Sequence, residues 1–212
     1  MNTFYIMSKT DRIFFNFLFG LVLPLFGFEV AVWIAFVSSS PEKTIFTAAL
    51  LGFSVGLTVS LLVRFILKPD VYKLPIPVLI LIYLFYNICI LGFFMGVPVF
   101  NLAAGALAGY YWVKRISNRN ELNNNRRDVH RISIFTSSVT ALVCISSALI
   151  ALLSKSTPED LRGMFHINSE ITRPLLVSLI IIGGIMLVAL QYYLTRFIMV
   201  KTLKVTGNQS RN

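Results

Sequence analysis

The sequence predicts an all-α, polytopic integral membrane protein, a bundle of six transmembrane helices. Three observations carry that reading. Of 212 residues, 56% are hydrophobic and only 13% are charged, whereas soluble domains carry about 25% charged residues. Mean hydropathy is +0.76. Six mostly apolar stretches, broken by Pro, Gly and charged residues, follow one another, each near the roughly 20 residues that a bilayer crossing needs. The same figures exclude a disordered chain, a collagen-like fibre and a nucleic-acid-binding domain.

The chain reads as a single membrane domain, 1–212. The first span, 13–37, is too long and too apolar for a typical signal-peptide core and is expected to be retained. Ser40-Pro41-Glu42 reads as an N-cap, a first-turn proline and an acid near the positive helix end, opening the second span at 44–67. Lys68-Pro69-Asp70 ends it. Pro75 and Pro77 open the third span, 75–94, and Gly96-Val97-Pro98 makes a tight turn into the fourth, 98–113. That connection is uncharged, so one long broken helix is the alternative; 75–113 is too long for a single crossing. A basic loop, 114–131, leads to the fifth span, 132–153. A loop at 154–173 separates it from the sixth, 174–199. Within that loop Thr157-Pro158-Glu159-Asp160 looks like a helix start, with Leu161, Met164 and Phe165 on one side, and is expected to lie on the outer surface.

Charge sets the orientation. With a cytoplasmic N-terminus, the inner segments hold 15 of the Lys and Arg residues and the outer loops four, while the acids outside the spans divide evenly. Both termini are therefore expected inside a cell membrane. The cytoplasmic loop, with candidates Arg115, Arg119, Arg126 and Arg127, is expected to meet anionic lipid headgroups. Arg64 and Arg196 read as snorkelling residues at the inner surface. Asn208-Gln209-Ser210 matches a glycosylation sequon but faces the cytoplasm on this topology.

Small residues must set the packing, because lipid gives helices no hydrophobic reason to associate. Gly52/Gly56 and Gly105/Gly109 each form a GxxxG, read as internal packing or as a homo-oligomer face. Ser133, Ser137, Thr140, Cys144 and Ser147 follow at steps of 4, 3, 4 and 3. They share one face, read as a helix seam in preference to a cavity wall.

Glu29 is the single acid within any span, about 12 Å from the outer end at 1.5 Å per residue. Two readings stand: a neutral carboxyl bonded to a neighbouring helix, or a ligand for a cation, proton or substrate. Asn87, with Tyr83 one turn below it, and Asn101 lie at similar depth. Glu29, Asn87, Asn101 and Tyr83 are the candidate substrate-binding residues, expected to converge in the outer half.

Cys89 and Cys144 lie in apolar runs and build no disulfide framework, CxxC pair or metal site. No span contains His, and no GxSxG, HExxH, Walker A or paired-acid motif is present. No cofactor and no enzymatic activity are expected. In size and topology, though in no motif, the chain is similar to the substrate-binding membrane subunits of energy-coupling-factor vitamin importers. That resemblance implies a solute pocket near the outer face. Where those subunits often carry an AxxxA-type face on the first helix, this chain reads Phe19-Gly20-Leu21-Val22-Leu23-Pro24. The expected function is a small transport or solute-binding subunit; a non-catalytic scaffold or assembly subunit, with a protein partner, is the alternative, and a lipid-modifying enzyme the third.

Overall fold

The computed structural model describes residues 9–67, 70–93, 97–118, 125–154, 157 and 172–209. The described residues are almost all helical, with no strand among them. Among the described residues seven α-helices follow in order: α1 Lys9–Gly20, α2 Val22–Val37, α3 Glu42–Leu67, α4 Ile76–Phe93, α5 Asn101–Asn118, α6 Asn125–Leu153 and α7 Arg173–Gln209. A 3₁₀ turn, Pro98–Phe100, leads into α5. The chain forms two compact units, Met1–Phe85 and Tyr86–Asn212.

In the first unit, α1 and α2 are almost one helix, interrupted at Leu21. Pro24 explains the interruption. It has no N–H to give the Gly20 carbonyl four residues back, and its ring crowds that carbonyl. The Ser60 hydroxyl of α3 donates to Gly20 O instead, at 2.7 Å. Gly27 of α2 and Gly52 of α3 meet backbone to backbone, and Gly56 lies against Leu23 and Pro24; a Cβ at any of the three would strike main chain. The Gly52/Gly56 motif is thus consumed by packing inside the chain. α2 ends in a Schellman arrangement: Ser39 takes φ 50°, its N–H reaches Phe36 O, and Ser40 N–H reaches Ala35 O.

In the second unit α5 packs against both α6 and α7. Gly105 and Gly109 face α7, where a Cβ would strike the Gln191 amide or approach Met199 at 3.0 Å. Val113, Val129 and Met199 form a small core at one end, with Trp112, Ile132 and Leu203 around it.

Among the described residues five helical stretches are long and apolar enough to cross a membrane: Thr10–Val37, Glu42–Ile66, Ile76–Phe93, Arg126–Leu153 and Arg173–Thr206. Their outward side chains are large and apolar; Phe65 is 80% exposed and Ile185 66%. This is the pattern of a multi-pass membrane protein, whose outer surface meets hydrocarbon. α5, at the expected fourth span, is not among the five. Ten of its 18 residues are buried, including Lys114 and Arg115. A helix wrapped by its neighbours need not be apolar all round. The expected surface helix from 157 falls almost wholly outside the described residues, as do Arg119 and the serine of the sequon.

Candidate functional site

Of the four expected substrate-binding residues, the structure joins two. Asn101, the first residue of α5, and Asn87 of α4 are 0% and 1% exposed. The Asn101 side-chain amide donates to both the main-chain and side-chain oxygens of Asn87, each at 2.9 Å. Pro98 starts the turn that brings Asn101 there. Asn101 Oδ1 has no hydrogen-bond partner among the described residues. The pair ties α4 to α5 and leaves its polar atoms enclosed. Glu29 and Tyr83 lie in the first unit. Glu29 is half-buried on α2 and forms no hydrogen bond or ion pair among the described residues. It shares a face with Phe26, one turn earlier, whose ring lies 6.2 Å from that of Phe85 on α4.

The polar stripe of α6 turns inward as a seam against α7. Ser133, Thr136 and Thr140 are fully buried. Their partners were not singled out by sequence reasoning. Gln191 and Thr195 of α7, both 0% exposed, stand one turn apart. Gln191 Nε2 donates to Thr195 Oγ1 at 2.7 Å and Thr140 Oγ1 to Gln191 Oε1 at 3.4 Å. Thr195 Oγ1 lies 3.1 Å from Thr136 Oγ1 and donates to Gly105 O at 3.4 Å. One buried amide thus links α5, α6 and α7. Its signal was a Gln and a Thr at i, i+4 in an otherwise apolar helix, matching the spacing on α6. The network is fully buried and reads as a structural lock.

A cleft of about 670 Å³ lies between the start of α6 and the end of α7. Arg126 and His130 line it from α6; Tyr192, Arg196 and Lys204 line it from α7; Val129, Val200 and Leu203 supply its apolar part. The spacing places them. Arg126 and His130 are one turn apart, and Tyr192, Arg196, Val200 and Lys204 recur every four residues, so both sets face one side. His130 Nδ1 lies 3.1 Å from Tyr192 Oη. Among the described residues no carboxylate lines the cleft, and Arg126, Arg196 and Lys204 form no ion pair. Three cations around one concavity create a field that favours an anion.

The expected lipid-contact residues divide here. Arg126 lines the cleft. Arg127 is exposed on α6 but lies outside it. Arg115 corrects the expectation of a free surface contact: it is 3% exposed, and its guanidinium sits 5.6 Å from the Trp112 ring centre. α5 continues past Val113, which carries Arg115 in among the neighbouring helices. Arg196, expected only to snorkel, faces the cleft. A smaller cavity of about 310 Å³ lies in the first unit, lined by Asn16, Ser60 and Arg64 among others, with the Arg64 side chain lying over Gly20. No family model, curated protein or solved structure matches the chain.

Proposed function

We propose that this chain is an integral protein of a cell membrane, crossing it six times with α5 as the fourth, enclosed crossing, and with both termini in the cytoplasm. In that topology the start of α6 and the end of α7 stand at the inner membrane surface. The protein acts there as a non-catalytic membrane subunit whose cytoplasmic face binds anionic lipid headgroups. The observation that carries this reading is the cleft of Arg126, Arg196 and Lys204, which no carboxylate faces among the described residues. Each basic residue near an anionic surface contributes about 1 kcal/mol. In nanodiscs, thermal stability is expected to rise when phosphatidylglycerol replaces phosphatidylcholine, and the rise to shrink in 0.5 M salt, where the Debye length falls below ~8 Å. The triple variant R126A/R196A/K204A is expected to abolish the difference. Equal stability of the wild type in both lipids overturns the reading.

Glu29 supports a second reading, a transport or solute-binding subunit. A carboxyl within a span, with no partner among the described residues, carries an insertion penalty of about 2.5–3.5 kcal/mol when charged, which a bound cation or substrate would relieve. Glu29→Gln is expected to diminish transport or ligand-induced thermal stabilisation; unchanged behaviour in both assays removes that role.

A further inference from the structure

The basic cleft does not stand alone. Along the same α6–α7 seam runs an apolar groove of about 770 Å³. Ala141, Cys144 and Ala148 line it from α6, and Ile181, Gly184 and Val188 from α7. Tyr192 borders both spaces. Its hydroxyl meets His130 in the cleft, the placement expected of an amphipathic ring at a membrane interface. On α7 the groove extends from Ile180 to Tyr193, about 20 Å of helix. One leaflet of the hydrocarbon core is about 15 Å deep. Small residues make the groove: Gly184 has only the Cys144 Cβ near it, 3.9 Å from where its own Cβ would stand.

We propose that groove and cleft together hold one phospholipid of the inner leaflet with an anionic headgroup. The phosphate sits among Arg126, Arg196 and Lys204, and an acyl chain lies along Ala141, Ala148 and Gly184. This rests on the headgroup reading above and adds to it a defined stoichiometry, a defined seam and a requirement for the tail. A diffuse basic surface would attract many headgroups and ignore what hangs from them.

Native mass spectrometry of the detergent-released full-length protein tests this, with phosphatidylglycerol and phosphatidylcholine titrated in parallel and soluble glycerol phosphate as the tail-free probe. The wild type is expected to retain one phosphatidylglycerol in preference to phosphatidylcholine. R126A/R196A is expected to lower that affinity about 30-fold, roughly fivefold for each cation removed. Gly184→Leu and, separately, Ala148→Leu fill the groove. Each is expected to lower phosphatidylglycerol affinity at least about fivefold, the loss of a few buried methylenes, while glycerol phosphate binds as in the wild type. If both groove variants keep wild-type phosphatidylglycerol affinity, the groove assignment is overturned and the headgroup reading stands. If R126A/R196A keeps the anionic preference, both are overturned. Several equivalent lipids bound to the wild type, in place of one, also overturn the single site.

Discussion

Gln191 shows how much one side chain decides in this chain. Its amide lies over Gly105 and joins Thr140 and Thr195. A Cβ at Gly105 leaves no room for it there. The amide must swing away, and a buried polar group that loses its partners costs about 1–3 kcal/mol. Gly105→Ala is therefore expected to lower unfolding stability in detergent by that amount. In a Gln191→Ala background the same change is expected to cost much less, because the obstructed group is gone; equal cost in both backgrounds would show that Gly105 answers to something else. Residues of this kind were only half legible. Asn87 and Asn101 stand out in the sequence because amides are rare in such apolar stretches, and they do meet. Gln191 lies close to the basic end of its helix and reads there as an interfacial residue; only the register of α6 against α7 reveals that it points inward. Arg115 was hidden for a related reason: helix boundaries read from charge place the interface at Lys114, while α5 runs on to Asn118.

At the level of elements, the break between α1 and α2 is a joint made from two helices. Pro24 removes a donor from Gly20 O, and Ser60 restores one from α3. Ser60→Ala is expected to destabilise by about 1 kcal/mol. With Pro24→Ala, the backbone N–H returns and the same serine deletion is expected to become nearly neutral. A double-mutant cycle from thermal or denaturant unfolding reads the coupling, and additive effects would show that the two groups do not share the carbonyl. The helices themselves were mostly legible, since length and apolarity dictate them: α2, α3, α4, α6 and α7 lie where the spans were expected. The small-residue motifs were legible as contacts, but not as to partner. Gly52 finds Gly27, and nothing in a GxxxG says whether its mate is on the same chain. α5 fell short of its expected apolarity because enclosure by α6 and α7 relaxes the demand that lipid makes on the other helices.

For the molecule as a whole, the proposed orientation is the claim on which most others turn. The count of 15 basic residues against four predicts which ends face the cytoplasm. In a variant with Cys89 and Cys144 replaced by alanine, a cysteine in place of Ser39, between α2 and α3, is expected to react with an impermeant maleimide added outside intact cells. Cysteines in place of Asn118 and Lys204 are expected to react only after the membrane is opened. Labelling at the Asn118 and Ser39 positions from the same side would remove the six-crossing topology, and with it the inner-leaflet position of the cleft. The charge bias could be read directly from the chain. The cleft could not, because Arg126 and Lys204 stand 78 positions apart in sequence and meet only when two antiparallel helices are in register.

One dimension of α7 carries further. At 37 residues it is about 55 Å long, against a hydrocarbon thickness of about 30 Å. Some 25 Å of unbroken rod must therefore stand clear of the oil or lean within it. Such a rod is a pointer: ten degrees of lean at the membrane displaces its tip by about 4 Å. A spin label at Val205, 54% exposed near that tip, turns the protein into a gauge of how thick the surrounding bilayer is.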